Sequence, residues 1–290
     1  MRTPTRAVRA APRAALVGAV AAALALTAAL GGCGDSRPAP RAAASSHSAP
    51  TPTPAATASA TASAAAICPN RSAPPPHTSR QPLRTADGLR LQAVEMGSGP
   101  RGVVLVPETG VQLLCGWWEF ASYLAGAGFH VLLFDVRCTG GSSCGTTTTS
   151  SPATSDADIA AATARLKARG ARRIVLLGGS TGGSQAITAA ALGKDPAVRA
   201  VASLSADLLD DPSTGVTAAA PKLRVPLLMS VAPGDPYVTL ADTRKVLGLA
   251  GSSDKRLVVA PADAGHGWDL VSPPTDRIAR IVTAFLRSHT

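Results

Sequence analysis

The chain has 290 residues, of which 28 are Lys or Arg and 18 are Asp or Glu, giving a formal net charge of +10 with only 3% aromatic residues. The basic excess is scattered and does not interleave with aromatics, which excludes a nucleic-acid footprint and leaves mild attraction to an anionic envelope. Arg2, Arg6, Arg9 and Arg13 supply four of those charges, so the remainder of the chain carries about +6 (10 − 4).

Those arginines precede an uncharged apolar run from Ala14 to Leu30, followed by Gly31, Gly32 and Cys33. A basic stretch, a short apolar stretch and small residues before a cleavage point describe a secretory signal over 1–32. The run is marginal for crossing about 30 Å of hydrocarbon. Leu30-Gly31-Gly32-Cys33 resembles a bacterial lipobox, which implies lipidation of Cys33 and a membrane anchor on the extracytoplasmic face. An ordinary signal peptide with an incidental cysteine, or an uncleaved anchor, remains open, and every version exports the rest. Residues 33–66 are rich in Ala, Pro, Ser and Thr. With too little apolar surface to offset ordering entropy, this segment is expected to be a solvated tether reaching on the order of 100 Å at ~3.1 Å per residue.

The folded part is expected over 67–290. Leu89 to Val94 alternates after the Asp87-Gly88 turn, as a hairpin strand with one wet face does. Val103 to Val106, Val131 to Phe134, Ile174 to Leu177, Val198 to Leu204, Pro226 to Val231 and Leu257 to Val259 read as buried strands. Between them, helices are expected over Trp117–Leu124, Ile159–Leu166, Gln185–Leu192, Leu240–Leu249 and Ile278–Leu286. This alternation gives an α/β fold, a mostly parallel sheet covered on both faces, with working residues beyond the carboxyl ends of its strands. With Cys33 given to lipid, Cys68, Cys115, Cys138 and Cys144 form an even set in an oxidising compartment. At least one disulfide is expected within Cys115, Cys138 and Cys144, with the pairing open. Their spacing is not that of a zinc site, and no metal or cofactor is expected.

Arg172 to Ser184 is the central stretch. Apolar Ile174 to Leu177 run into Gly178-Gly179-Ser180-Thr181-Gly182-Gly183, the pattern of a strand, a tight turn and a helix. A Cβ at 178 or 182 would collide with strand or helix, so the glycines frame an exposed Ser180 hydroxyl beside a helix N-terminus. Gly141-Ser142-Ser143-Cys144-Gly145 also fits G-x-S-x-G, but no apolar strand leads into it. A serine nucleophile needs an imidazole, and the imidazole needs a carboxylate. His47 lies in the tether, His77 in a Pro-rich lead-in and His289 at the chain end, while His130 opens a strand at the wrong edge. His266 follows a strand between Gly265 and Gly267, and Asp235 follows another; Asp207 and Asp210 are reserve carboxylates.

The order Ser180, Asp235, His266, each beyond a strand, resembles the α/β-hydrolase superfamily, as does Asp135-Val136-Arg137-Cys138-Thr139-Gly140-Gly141-Ser142, with Cys138 where that family has glycine. The resemblance covers about Val103 to Leu286. It implies Ser180 as nucleophile, His266 as base and acid, Asp235 as its orienter, and the backbone N–H groups of Thr181 and Thr109 as oxyanion donors. The family's usual His-Gly is replaced by Pro107-Glu108; a Glu108 carboxylate near the site would oppose the oxyanion and stabilise the charged form of His266, or it would instead point to solvent or pair with Arg137. The short stretch from Asp207 to Arg224 leaves no room for a cap domain. An open cleft is therefore expected, with Trp117, Trp268 and Tyr237 each near its rim or in plain core packing. The expectation is a monomeric, lipid-anchored or secreted serine hydrolase acting on a small-molecule or lipid-like ester. Its rate should rise with pH as His266 loses its proton. Thioester cleavage or acyl transfer would use the same residues. A non-catalytic envelope-binding lipoprotein on a hydrolase scaffold is the alternative from another class.

Overall fold

A computed structural model describes residues 66–146, 152–208 and 215–290. The signal segment 1–32, Cys33, the tether up to residue 65 and the reserve carboxylate Asp210 lie outside the described residues. In chain order the strands are β1 (Ser79–Arg80), β2 (Leu83–Arg84), β3 (Arg90–Leu91), β4 (Ala93–Met96), β5 (Arg101–Val106), β6 (His130–Phe134), β7 (Arg173–Gly179), β8 (Val198–Leu204), β9 (Leu227–Val231) and β10 (Lys255–Val259). The helices are α1 (Trp118–Gly126), α2 (Pro152–Ala168), α3 (Ser180–Ala191), α4 (Val216–Ala219), α5 (Leu240–Leu249) and α6 (Arg277–His289).

Eight strands form one sheet in the order β1-β4-β6-β5-β7-β8-β9-β10, and β2 pairs with β3 separately. The pairs β1/β4 and β4/β6 are antiparallel and the rest of the large sheet is parallel. Period-two alternation sorts each strand between two cores. On β5, Val103 and Leu105 join α1 and α6, while Val104 and Val106 join α2, α3 and α5. Both faces are thus dry, which is why these strands read as unbroken apolar runs.

The expected single strand Leu89–Val94 is instead broken at Gln92. The Gln92 N–H donates to Ser142 Oγ (2.9 Å), its carbonyl accepts from Asp135 N–H (2.9 Å), and its amide donates to Asp135 Oδ2 (2.9 Å). One residue therefore leaves the small sheet to hold the loop after β6, and the chain re-enters the large sheet as β4. The expected wet face is present on β3, where Arg90 is exposed and Leu91 buried, and ends at β4, whose four residues are all buried, Glu95 among them. Glu95 meets His130 at 2.7 Å and Arg165 at 2.9 Å. Burial alone would raise this carboxyl, but those partners hold it below its ordinary value.

Two disulfides are present, Cys68–Cys115 and Cys138–Cys144, so the expected bond within the group of three is Cys138–Cys144. Cys138 has φ 65, the left-handed conformation that explains glycine at the matching position of the resembling motif. Cys68–Cys115 fastens the start of the described chain to a 3-10 turn, Leu113–Trp117, just before α1. Arg137 is held by Asp158 (2.7 Å) and Asp87 (2.8 Å), so the expected Glu108–Arg137 pair does not form. Among the described residues no helix is long and apolar enough to cross a membrane.

Candidate active site

β5 lies between β6 and β7, so the chain order reverses there and the loops after β5 and β7 flank a crevice at the carboxyl edge. α3 begins at Ser180 itself, earlier than the expected Gln185, because the glycine-rich turn is its first turn. A Cβ on Gly178 would lie 2.1 Å from the Gly182 carbonyl oxygen, and one on Gly182 would lie 2.4 Å from the Val106 and Pro107 oxygens. Strand, helix and the β5 loop approach that closely only without side chains at these positions. Ser180 is held at φ 50, a conformation that costs a non-glycine residue energy and lifts its hydroxyl off the strand end.

Asp235 sits in the turn after β9, its side chain buried. Its Oδ1 accepts from the N–H groups of Tyr237 (2.9 Å) and Val238 (3.0 Å), and both carboxylate oxygens lie 2.9 Å from His266 Nδ1. Burial pushes this carboxyl up. The Ser205 hydroxyl, the two N–H groups and the imidazole outweigh it and leave the group below its ordinary value. Asp235 therefore stays ionised and is placed to accept a hydrogen bond from Nδ1 of His266. Ser205, at φ 49 just past β8, was not among the sequence candidates; nothing in its local pattern marks it.

The His266 loop leaves β10 through Gly265 (φ 83) and returns through Gly267 (φ 56). It rests on the serine turn: a Cβ on Gly179 would stand 3.1 Å from Gly267 Cα. Residues 179 and 267 are the immediate neighbours of Ser180 and His266, so the two functional side chains rise from touching backbone. Tyr237, exposed, sets its ring edge on the imidazole at 4.8 Å and 67°.

The other candidates fall elsewhere. His130 is buried against Glu95 and His289 lies at the end of α6 near Asp254. Asp207 is tied to α3 through its backbone, its N–H donating to the Ser180 carbonyl and its carbonyl accepting from Ser184 Oγ. Ser143 of the second G-x-S-x-G lies in the turn closed by Cys138–Cys144, its N–H given to the Arg90 carbonyl. Of its two open places, rim and core, Trp117 takes the core, fully buried beneath Gly179. Trp268 is half-buried over Gly116. The Thr109 N–H, expected to face the oxyanion, donates to Thr181 Oγ1 (3.1 Å). Glu108, for which a place beside the site, in solvent or at Arg137 was open, turns inward and accepts from the Trp268 N–H at 3.4 Å. Among the described residues no group of three or more His, Cys, Asp or Glu is arranged to hold a metal ion.

A family model described as the alpha/beta hydrolase fold matches residues 102–244, a span that runs from β5 through the serine turn to Asp235 and into α5. The fold is that of an α/β-hydrolase. Solved structures agree. A Pyrococcus furiosus esterase superposes with a TM-score of 0.60 at 17% identity, covering 73% of this chain and 91% of its own. A Paleococcus ferrophilus monoacylglycerol lipase gives 0.58 at 18% identity, covering 69% of this chain and 99% of its own. The esterase domain of a Rhodothermus marinus protein gives 0.58 at 18% identity, covering 73% of this chain and 99% of its own. At these identities the likeness is one of fold. No curated protein matches the sequence. Within the α/β-hydrolase fold this chain departs from the expected plan at the β5 loop, where Pro107 has no N–H to offer and Glu108 points inward.

Proposed function

We propose that this α/β-hydrolase cleaves carboxylic esters through an acyl-enzyme on Ser180, exported and anchored to the membrane by lipid on Cys33. The observation that carries the chemistry is the hydrogen-bonded His266–Asp235 couple on a loop that touches the backbone beside Ser180. Ser180 Oγ attacks the ester carbonyl while His266 Nε2 takes its proton. Asp235 stabilises the imidazolium, and the oxyanion forms at the Thr181 N–H on the positive end of α3. Collapse expels the alcohol, which leaves with the proton from Nε2. Water then repeats the sequence on the acyl group and frees Ser180. The Thr109 N–H reaches the oxyanion only by leaving Thr181 Oγ1, a hydrogen bond worth about 1 kcal/mol. Esterase and lipase neighbours of the same fold support the substrate class. The basic, apolar, Cys33-terminated leader supports the location.

The test is turnover of short- and medium-chain p-nitrophenyl esters by the mature protein. A burst of one equivalent of nitrophenol, followed by slower steady release, is expected from acyl-enzyme formation. Product partitioning toward an added alcohol would assign acyl transfer. A folded protein that turns over neither esters nor thioesters would sink the proposal.

A further inference from the structure

Resting on that reading, we infer that Glu108 is a positioning residue of the same site: its carboxyl braces the His266 loop against the serine turn and sets the pH range in which the imidazole works. The carboxyl occupies a cradle made by two missing side chains. A Cβ on Gly267 would fall 1.6 Å from Glu108 Oε2, and one on Gly179 would fall 2.9 Å from it. Any other residue at 267 would expel the carboxyl, and the same oxygen accepts from the Trp268 N–H. Glu108 thus touches three segments at once: the loop after β5, the residue before Ser180 and the residues after His266.

The groups facing it are of one sign. From the turn Gly267–Val271 it meets Asp269, and from the loop after β9 it meets Asp235, which holds His266; the serine turn offers backbone at Gly179. Burial first, then those two carboxylates, push Glu108 up to about 7, against the opposing pull of Trp268. Its charge therefore changes near neutrality, next to the loop that carries the imidazole. An ionised Glu108 favours the imidazolium and opposes the oxyanion, so removing its charge should free Nε2 at lower pH.

Glu108→Gln keeps an acceptor for Trp268 N–H and deletes the charge. The acid limb of the kcat/KM–pH profile is expected to move down by roughly half a unit to one unit. Glu108→Ala also removes the brace and should lower kcat in addition. Folding gives an independent readout. A carboxyl whose folded pKa is raised is penalised as pH climbs from its unfolded value to about 7. Glu108→Gln should therefore gain in Tm over wild type at pH 8 and not at pH 4.5. Should that variant not fold, Glu108→Met, which fills the same space without charge, should move the limb the same way. Superimposable profiles, with Ser180 still labelled by a fluorophosphonate, would overturn this inference alone. No labelling of wild type would overturn the hydrolase reading and this one with it.

Discussion

Asp235→Asn is expected to lower kcat by about 10⁴-fold with little change in Tm. In the wild type Oδ1 anchors the turn by accepting the Tyr237 and Val238 N–H groups. An asparagine keeps those bonds with its own Oδ1, which leaves its NH₂ facing His266. A donor there makes Nδ1 the acceptor and forces the ring proton onto Nε2, the nitrogen that must receive the proton of Ser180. The loop stays in place while the base is lost. Steady-state kinetics on a p-nitrophenyl ester, with a thermal melt alongside, separates the two effects. An Asn variant within tenfold of wild type would mean that the couple does not serve catalysis.

The second large effect is structural. Gly178→Ala should destabilise the protein by about 3 kcal/mol or more. The new Cβ would meet the Gly182 carbonyl oxygen at 2.1 Å, its carbon at 2.3 Å and the Gly183 nitrogen at 2.7 Å. All three atoms are backbone of the first turn of α3, so no side chain can step aside. α3 has to withdraw from β7, and Ser180 goes with it. Gly248→Ala in α5 is the control, since nothing lies within 4 Å of its Cβ. It should gain about 0.5–1 kcal/mol from helix propensity. Chemical denaturation of both variants checks the contrast, and equal stabilities would contradict the close strand–helix packing.

What the residues disclosed beforehand, and what they hid, follows from range. Ile174 to Leu177 ahead of Gly178-Gly179-Ser180-Thr181-Gly182 is a local signal: the small residues are spaced by the geometry of one turn, and β7 and α3 lie on either side of it. Asp235 and His266 were reachable because both stand just past apolar strands, at the edge where a mostly parallel sheet gathers its loops. The break at Gln92 was not, since it depends on Ser142 and Asp135, some fifty and forty residues away. The position of Glu108 stayed open for a like reason. Its setting is defined by Gly179 and Gly267, and a glycine in sequence does not disclose which distant side chain fills the space it leaves. Ser205 beside Asp235 is a further long-range meeting, between the ends of β8 and β9. Cysteine counting allowed three pairings, and only the fold of the 3-10 turn beside residue 68 selects Cys68–Cys115.

The most direct measurement is the mass of the tryptic peptides after incubation with a fluorophosphonate at neutral pH. One phosphonyl adduct on the peptide carrying Ser180 is predicted, absent from Ser180→Ala and strongly slowed in His266→Ala. An adduct on Ser143 in the competing G-x-S-x-G, or none from folded protein, would contradict the account.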